Sequence, residues 1–466
     1  MIQFHPIRIG DRARIERYTM PSGIVNCDLS FANMFCWQGV YRSAWAEVDG
    51  FLVIRFHIGG GAEIGYMQPV GAGDFTPVVE ALADDARALG QRLRLAGLTE
   101  EGCAQLRRAY PGVFAFSTDR AAEDYVYAAD DLRRLPGRRY QPKRNHLNRF
   151  AAAHPDWRYE PLTAAHADEC MALERAWRRT HEGRTAELCA EQRAMQRAFD
   201  HFDALGLIGG CLYADERMVA FTYGSAVGPD TFDTHVEKAD PAYVRDGAFT
   251  MINKCFAEHL PDRFTQINRE EDLGLEGLRQ AKLSYHPAFR LRKFTAIRLH
   301  DDERACKALW QEAFGDDEAF VDAFLANHYR RRDMLTVQAE GQLAAMLHLV
   351  PFESELGRTT YIYGVATAPA FRGRGYASQL MEEAVRRIGE RGDDAALLIP
   401  SPGREHLRRF YARFGFAGEV PVTFDSTDGF DFGTGDPAAD LAMVRRRDPA
   451  APLPGRIGMR PAGRER

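Results

Sequence analysis

A glycine-rich hexapeptide at residues 372–377 is the segment whose residue types and spacing most clearly allow chemistry. It follows an apolar run at 361–367 that is typical of a buried strand, and it precedes apolar residues at helical spacing. The first N–H groups of a helix are unpaired and lie at the positive end of its dipole, so they bind phosphate oxygens. Gly373 and Gly375 lack side chains that would hold a phosphate away from the backbone. The sequence therefore predicts a pyrophosphate site at this turn.

The pattern Arg372-x-x-Gly375-x-Ala377 resembles the pyrophosphate-binding motif of the GNAT superfamily of N-acetyltransferases. Further predicted elements occur in the order that this family shows. They are two short amphipathic helices at 303–314 and 318–328, a hairpin at 334–352 that turns at Glu340-Gly341, a strand at 395–401, and a helix that ends in RRFYARFGF at 408–416. The resemblance implies a GNAT acyltransferase domain over residues 299–447.

The same resemblance implies that acetyl-CoA is the acyl donor. A neutral amine would attack the thioester directly, and a backbone N–H near Val365 would stabilise the charge that develops on the thioester oxygen. The pantetheine arm would pair with this backbone like an added strand. The implied cofactor-binding residues are Val365, Ala366, Thr367, Arg372, Gly373, Arg374, Gly375, Tyr376, Ala377 and Ser378.

Two side chains are candidates for proton transfer. Tyr411 occupies the position of the family's usual general acid, which protonates the leaving thiolate; the alternative is a core tyrosine on an amphipathic helix. Glu353 is predicted to lie in a loop that faces the acceptor, and it is the favoured general base. His348, Tyr363 and a chain of water molecules remain alternatives for that role.

An internal repeat precedes this domain. Residues 232–256 parallel residues 361–385, since both run from a strand through a Pro-Ala-aromatic turn to a helix, and Gly247 aligns with Gly375. Val244 stands where the later copy has its first arginine. We therefore expect a second copy of the fold whose pyrophosphate turn has eroded and binds coenzyme A poorly.

Two long motifs, at residues 125–150 and 268–287, resemble the catalytic C-terminal domain of phosphatidylglycerol lysyltransferases and, more closely, its uncharacterised stand-alone relatives. In that family the domain consists of two GNAT-like halves, which implies two halves within residues 1–298, divided near 135–150. The predicted architecture is α/β, with three GNAT-like units of mixed, mostly antiparallel sheets flanked by helices. The tail at 448–466 is rich in Pro, Gly and Arg and is predicted to be disordered.

Two charged clusters in this N-terminal block have open interpretations. The first cluster is basic and comprises Arg138, Arg139, Lys143, Arg144 and Arg149. It either binds a phosphate-bearing ligand, such as a tRNA acceptor end or a lipid head group, or is the solvated face of a helix. The other, Glu270, Glu271 and Asp272, follows a predicted strand and either binds a cationic amine, acts as a base or caps the next helix.

Composition limits the binding partners and the cellular compartment that we expect for this protein. A net charge of -6 and a pI near 6.2 give no electrostatic case for bulk nucleic-acid binding. The eight cysteines form no C-x-x-C pair and no metal-binding constellation is visible, which suits a reducing cytoplasm. No apolar signal segment opens the chain, and no run approaches the roughly 20 apolar residues of a membrane helix. We expect a cytoplasmic protein of bacterial type.

The function that these features favour is transfer of an acyl group, most simply acetyl, from acyl-CoA to an amine by direct attack. The acceptor is a small molecule or a peptide amine, and the sequence does not specify which. One alternative is an aminoacyltransferase that takes its group from a charged tRNA through the N-terminal block. Another is a sensor that binds coenzyme A without catalysis.

Overall fold

The computed structural model describes residues 2–179, 185–401, 403–425, 430–450 and 452–462. These residues form two compact units. Unit 1 comprises Met1–Ala109 and Thr118–Ile297, and unit 2 comprises Tyr110–Ser117 and Arg298–Arg466. Both units combine mixed sheets with helices, which confirms the predicted α/β class.

The described residues form both strands and helices. The strands are β1 (His5–Pro6), β2 (Ala44–Val48), β3 (Phe51–His57), β4 (Ile64–Met67), β5 (Arg94–Leu98), β6 (Phe114–Thr118), β7 (Asp124–Ala128), β8 (Arg158–Pro161), β9 (Ile208–Ala214), β10 (Arg217–Ala226), β11 (Thr231–Ala239), β12 (Gln266–Asn268), β13 (Phe289–Leu291), β14 (Phe294–Arg298), β15 (Met334–Ala339), β16 (Gln342–Ser354), β17 (Gly357–Thr367), β18 (Ala395–Leu398), β19 (Ala417–Phe424), β20 (Leu441–Arg446) and β21 (Ile457–Pro461). The helices are α1 (Arg12–Thr19), α2 (Phe31–Cys36), α3 (Gln38–Tyr41), α4 (Thr76–Ala88), α5 (Glu100–Ala109), α6 (Ala129–Arg134), α7 (Gln141–Ala153), α8 (Ala167–Arg178), α9 (Thr185–Asp200), α10 (Pro241–Val244), α11 (Ala248–His259), α12 (Glu276–Leu283), α13 (Asp301–Phe314), α14 (Glu318–Asn327), α15 (Tyr376–Arg391) and α16 (Glu405–Ala412).

Unit 1 contains two sheets. The first runs β1-β2-β3-β4-β5-β14, and the second runs β13-β7-β12-β11-β10-β9-β8. The predicted division of the block near residues 135–150 differs from the structure, because β7 already belongs to the second sheet, where it pairs with both β12 and β13. The chain leaves the first sheet before residue 124 and returns to it only at β14.

Unit 2 contains one sheet in the order β15-β16-β17-β18-β20-β19-β21. Helix α15 packs on one face through an apolar stripe, and its buried residues are Leu380, Met381, Ala384 and Ile388. Helices α13 and α14 cover an aromatic core on the other face. The hairpin between β15 and β16 turns at Glu340 (φ 53°) and Gly341 (φ 74°), as the sequence predicted.

The prediction that the tail is disordered is wrong for residues 457–461. They form strand β21, which pairs with β19 and β16, and the side chains of Ile457 and Met459 are both 0% exposed. Burial of two large apolar side chains favours order despite the Pro, Gly and Arg around them. Residues 451 and 463–466 of this tail lie outside the described part of the chain.

The repeat that the sequence indicated is a repeat of topology. In the second sheet β9, β10 and β11 are antiparallel neighbours, and β12 lies parallel to β11 after helix α11. In the unit 2 sheet β15, β16 and β17 have the same arrangement, and β18 lies parallel to β17 after helix α15. Each copy therefore places a strand–turn–helix segment at the same position in its sheet.

Candidate functional site

The glycine turn before α15 has the geometry of an open anion cradle. Gly373 (φ +75°) and Gly375 (φ +85°) adopt left-handed backbone conformations, and a Cβ atom built on either would meet nothing within 4 Å. The first backbone bond of the helix runs from the Gln379 N–H to the Gly375 carbonyl at 3.1 Å. The N–H groups of Tyr376 to Ser378 precede that bond, so they are available to a ligand.

Two arginines flank this turn. Arg372 Nε donates to the Thr367 carbonyl at 3.2 Å, at the end of β17. Arg374 Nη1 lies 2.6 Å from Glu340 Oε1, and both of these side chains are exposed. Because exposed ion pairs contribute only about 0–1 kcal/mol, a phosphate can compete for Arg374. The turn therefore combines free N–H groups with two guanidinium groups.

Strand β17 leads into this turn and continues beyond its partner. Its parallel pairing with β18 ends at Tyr361↔Leu397, whereas β17 itself extends to Thr367. The register with β16 shifts between Met346 and His348, which places a bulge at Gly364 (φ +61°) and the residue after it. The free strand edge suits the pantetheine arm, and the predicted bulge near 365–367 lies one residue earlier than expected.

Tyr411 lies on α16 and is 8% exposed. It belongs to the apolar cluster between the sheet and α15, against which Val365 and Tyr376 also pack, so the structure brings the predicted acid and the predicted cofactor residues to the same face. Burial raises the pKa of Tyr411 to about 12, so its hydroxyl group keeps a proton at neutral pH.

Glu353 is not in a loop, and that prediction is wrong. It lies within β16, exposed, where it pairs with Arg358 of β17 and with Arg460 of β21. The end of β17 at Thr367 pairs with Ala345, eight residues further back along β16, which is about 27 Å at the usual rise per strand residue. The structure therefore separates Glu353 from the glycine turn.

His348 is an alternative candidate for the general base; it also lies on β16, beside the bulge. A Cβ built on Gly364 would be 3.4 Å from His348 Nδ1, and the His348 ring packs with Trp310 and Phe324. Burial lowers the pKa of His348 to about 3, so the ring is neutral at physiological pH. Among the described residues, neither of its ring nitrogens has a hydrogen-bond partner.

The corresponding turn in unit 1 is closed. Gly247 (φ +115°) precedes α11 as Gly375 precedes α15, but a Cβ built on it would lie 2.6 Å from the carbonyl oxygen of His146. Helix α7 thus occupies the space that a phosphate would need. This turn therefore lacks the open space found at Gly375, and its poor affinity for coenzyme A stays a prediction.

The acidic trio after β12 divides among three environments. Asp272 accepts hydrogen bonds from Tyr125, Arg120 and Arg279, which hold its pKa below the ordinary value despite burial. It therefore fits the structural alternative, a pairing turn before α12. Glu271 contacts the ammonium of Lys293, and Glu270 contacts the ring of His235 on β11.

Glu270 belongs to a polar group that sequence reasoning missed. His235 Nδ1 lies 3.1 Å from Glu270 Oε1 and 3.4 Å from Asp233 Oδ2, and His235 Nε2 lies 2.9 Å from Ser225 Oγ. Burial opposes the charged imidazole, but the two carboxylates outweigh it and raise the pKa of His235 to about 9. The available signal was the polar strand FDTHVEK, whose counterpart in the repeat is the apolar YIYGVAT.

A small cavity opens beside this group. Its lining combines aromatic, polar and charged side chains from α2, the residue after α2, α9, β10 and β11, among them Asn33, Trp37, Glu191, Tyr223 and His235. His235 also occupies a bulge, because the register of β10 with β11 shifts between Tyr223 and Gly224. The second sheet therefore has its polar group at the bulge, as the unit 2 sheet has its own bulge beside His348.

The basic cluster of unit 1 is largely engaged within the chain. Arg139 pairs with Asp131 at 2.7 Å, and Arg144 donates to the carbonyl of Gly137 at 2.8 Å. Lys143 donates to Ser284 Oγ at 2.7 Å. These contacts favour the alternative that the cluster is the solvated face of a helix, some of whose side chains form ion pairs and hydrogen bonds within the chain.

Two family models cover most of the chain. The family described as phosphatidylglycerol lysyltransferase, C-terminal, matches residues 22–297, which is more than half of the sequence. The chain belongs to this family. A model described as an acetyltransferase (GNAT) domain matches residues 296–418, so the lysyltransferase C-terminal block is followed by a GNAT domain. Both resemblances drawn from the sequence motifs are confirmed.

Several solved structures resemble this member of the lysyltransferase C-terminal family. A conserved protein of unknown function from Bacteroides thetaiotaomicron is 42% identical, with 64% of this chain and 100% of that chain covered and a TM-score of 0.61. L-PGS from Bacillus licheniformis is 15% identical, with coverage of 64% and 94% and a TM-score of 0.46. A GNAT family N-acetyltransferase from Escherichia coli in complex with CoA is 18% identical, with coverage of 35% and 86% and a TM-score of 0.25.

No curated protein matches this chain. Among the described residues, no helix has both the length and the apolar character needed to cross a bilayer.

Proposed function

We propose that unit 2 transfers an acyl group, most simply acetyl, from acyl-CoA to an amine. The observation that carries this proposal is the open glycine turn at the start of α15, where Gly373 and Gly375 leave space for a pyrophosphate. The match to a GNAT acetyltransferase domain over residues 296–418 supports the same reaction class. The closed turn at Gly247 supports a cofactor site in unit 2 rather than in unit 1.

Each part of the site has a role in this reaction. The N–H groups of residues 373–378, with Arg372 and Arg374, bind the pyrophosphate. The edge of β17 beyond Tyr361 pairs with the pantetheine arm, and a backbone N–H at the bulge stabilises the oxyanion. The amine forms its bond to the acyl carbon as the carbon–sulfur bond breaks, and Tyr411 donates the proton that the leaving thiolate takes up. A water molecule is the base for the amine, because a pKa of about 3 makes the buried ring of His348 a poor proton acceptor.

Calorimetric titration of acetyl-CoA into the full chain tests this proposal. We expect one site of micromolar affinity in the parent, and loss of binding in Gly375→Glu, because a carboxylate there fills the cradle and repels phosphate. Gly315→Glu is the matched control, since Gly315 is also left-handed (φ +75°) with nothing within 4 Å of its Cβ position, but it ends α13. Gly315→Glu should bind acetyl-CoA like the parent.

Other results of this titration would contradict the proposal. A parent protein that does not bind acetyl-CoA would show that the glycine turn is only a turn. Equal loss of binding in Gly315→Glu would show that strain, rather than the cradle, causes the effect.

The proposed location is the reducing cytoplasm, because all eight cysteines are free and intracellular acyl-CoA is the proposed donor.

A second candidate function is aminoacyl transfer from tRNA through unit 1. Membership of the lysyltransferase C-terminal family favours it, and so does the polar cavity beside His235 and Glu270. Arg139, Lys143 and Arg144 already form an ion pair or hydrogen bonds within the chain, which argues against strong electrostatic binding of tRNA. A CoA-binding sensor is the third candidate, and it predicts that no acyl acceptor will be turned over.

A further inference from the structure

Unit 1 contains two adjacent groups of side chains that could ligate a cation. The first is Cys27, Asp124 and Glu271, and the second is Asp233, His235 and Glu270. In each group the ligand atoms lie within 4.8 Å of one another. The two groups adjoin through the consecutive residues Glu270 and Glu271, which allows a direct comparison between them.

The first group already holds a cation that the chain supplies. Lys293 Nζ lies 2.8 Å from Asp124 Oδ1, 2.5 Å from Glu271 Oε1 and 3.7 Å from Cys27 Sγ. Burial lowers the pKa of Lys293, but the surrounding anionic groups outweigh this and hold the pKa well above its usual value. The ammonium therefore compensates the buried carboxylates, and this group needs no further ion.

The second group has no such cation. In the part of the chain that the structure describes, no lysine or arginine pairs with Asp233 or Glu270, whose ion-pair partner is the His235 ring. Asp233 is 0% exposed, and its Oδ1 atom has no hydrogen-bond partner among the described residues. A buried carboxylate oxygen without a partner is costly, and a cation would satisfy it.

The spacing of this group fits a metal ion. Tetrahedral ligands at about 2.0–2.1 Å from zinc stand roughly 3.3–3.4 Å apart. His235 Nδ1 lies 3.1 Å from Glu270 Oε1 and 3.4 Å from Asp233 Oδ2, close to that separation. Only small movements would bring the three atoms to one ion.

Neighbouring side chains orient these ligands in the way that metal sites require. Ser225 Oγ lies 2.9 Å from His235 Nε2, so it can accept the Nε2 proton while a metal ion takes the place of the Nδ1 proton between the carboxylates. Asn33 Nδ2 donates to Glu270 Oε1 at 2.8 Å and lies 3.5 Å from Asp233 Oδ2. One imidazole and two carboxylates, each held by a second group, form a typical transition-metal ligand set.

We propose that Asp233, His235 and Glu270 bind a divalent transition-metal ion, with its remaining position open to the cavity that His235 and Asn33 line. Three protein ligands and an open side are the pattern of a catalytic rather than a structural site. The ligand of that position is a small molecule with an oxygen or nitrogen donor, such as water or a carbonyl group. This site lies within unit 1 and does not depend on the acyl transfer proposed for unit 2.

Titration of Zn²⁺ into the full chain, freed of metal by a chelator, tests this proposal. We expect one tight site per chain and at least a hundredfold weaker binding in Glu270→Gln, which keeps the side-chain shape. Ser225→Ala should weaken binding by about 10–100-fold, the usual effect of losing a group that orients a ligand. Cobalt(II) bound to the parent should give visible absorption that His235→Ala lacks.

His154→Ala is the matched control. His154 also lies between two carboxylates, Asp215 at 3.2 Å and Asp246 at 3.1 Å, but these contact opposite ring nitrogens and cannot share one ion. This variant should bind Zn²⁺ like the parent. Absence of a zinc site in the parent would overturn the proposal and leave His235 as a protonated bridge between two carboxylates. Unchanged binding in folded Glu270→Gln and His235→Ala would overturn it as well, and neither result bears on acetyl-CoA.

Discussion

At the scale of single residues, the proposed acyl transfer depends on one buried hydroxyl group. Tyr411 is 8% exposed, and burial raises its pKa to about 12, so it remains an acid throughout the range of an ordinary assay. With an amine acceptor found by screening the parent, Tyr411→Phe should lower kcat at least about 100-fold. The dissociation constant for acetyl-CoA should not change, and steady-state kinetics with calorimetry measure both quantities.

Tyr361→Phe is a control for this substitution. It also removes a buried hydroxyl group, one that donates to the Phe432 carbonyl at 3.3 Å in the aromatic core on the opposite face of the sheet, and it should keep kcat. Since Tyr411 does not titrate below about pH 10, its removal should not change the shape of the pH–rate profile in that range. A Tyr411→Phe enzyme with parental kcat would refute the general acid and favour a binding-only protein.

Single residues also show where sequence reasoning reaches its limit. The positions of the glycine turn and of Tyr411 in the fold were predictable, because both belong to contiguous motifs. Glu353 was misplaced, because the sequence did not show that β16 continues as far as Ser354. The group around His235 was missed because its members come from β10, β11 and the turn after β12, and no local spacing joins them.

At the scale of elements, the two strand–turn–helix segments differ in what covers the turn. Alanine in a left-handed conformation costs about 1–2 kcal/mol wherever it is introduced. Gly247→Ala should cost about 1–3 kcal/mol more through overpacking, because its Cβ would lie 2.6 Å from the His146 carbonyl. Thermal unfolding followed by intrinsic fluorescence should show the lower midpoint, since four of the five tryptophans lie in unit 1.

Gly373→Ala provides the comparison, since its φ is also positive but its Cβ would meet nothing within 4 Å. It should be the milder of the two substitutions in stability, yet the only one that weakens acetyl-CoA binding. If Gly247→Ala were as stable as Gly373→Ala, α7 would not be packed against the turn in solution. If Gly247→Ala lost acetyl-CoA affinity, the assignment of the cofactor to unit 2 would be wrong.

Element types were more predictable than element partners. Periodicity identified the hairpin at 334–352 and helix α15, because each depends on residues that are close in sequence. The return of β14 to the first sheet and the entry of β21 into the last depend on pairings with distant strands. Composition alone therefore gave the wrong prediction for residues 457–461. The burial of Ile457 and Met459 depends on pairing with β16 and β19, which composition does not show.

At the scale of the whole molecule, charge separates the two candidate functions. The chain carries a net charge of -6, so any affinity for tRNA must come from a local basic surface. Of the basic cluster, Arg139 and Lys143 are bonded within the chain, while Arg138 is exposed. Family membership alone does not determine whether this surface binds nucleic acid, because function depends on the site.

We therefore expect no measurable tRNA binding to the full chain at about 200 mM salt, where electrostatic contacts to phosphates are weakened. Fluorescence anisotropy with labelled tRNA at several salt concentrations measures this, and Arg138→Glu with Arg139→Glu reports on the cluster. Tight, salt-sensitive binding that this double substitution abolishes would contradict the expectation and make aminoacyl transfer through unit 1 the leading function. Tight binding that the double substitution leaves intact would place the nucleic-acid surface elsewhere on the chain. Weak binding in both proteins would support acyl-CoA, rather than a charged tRNA, as the proposed donor.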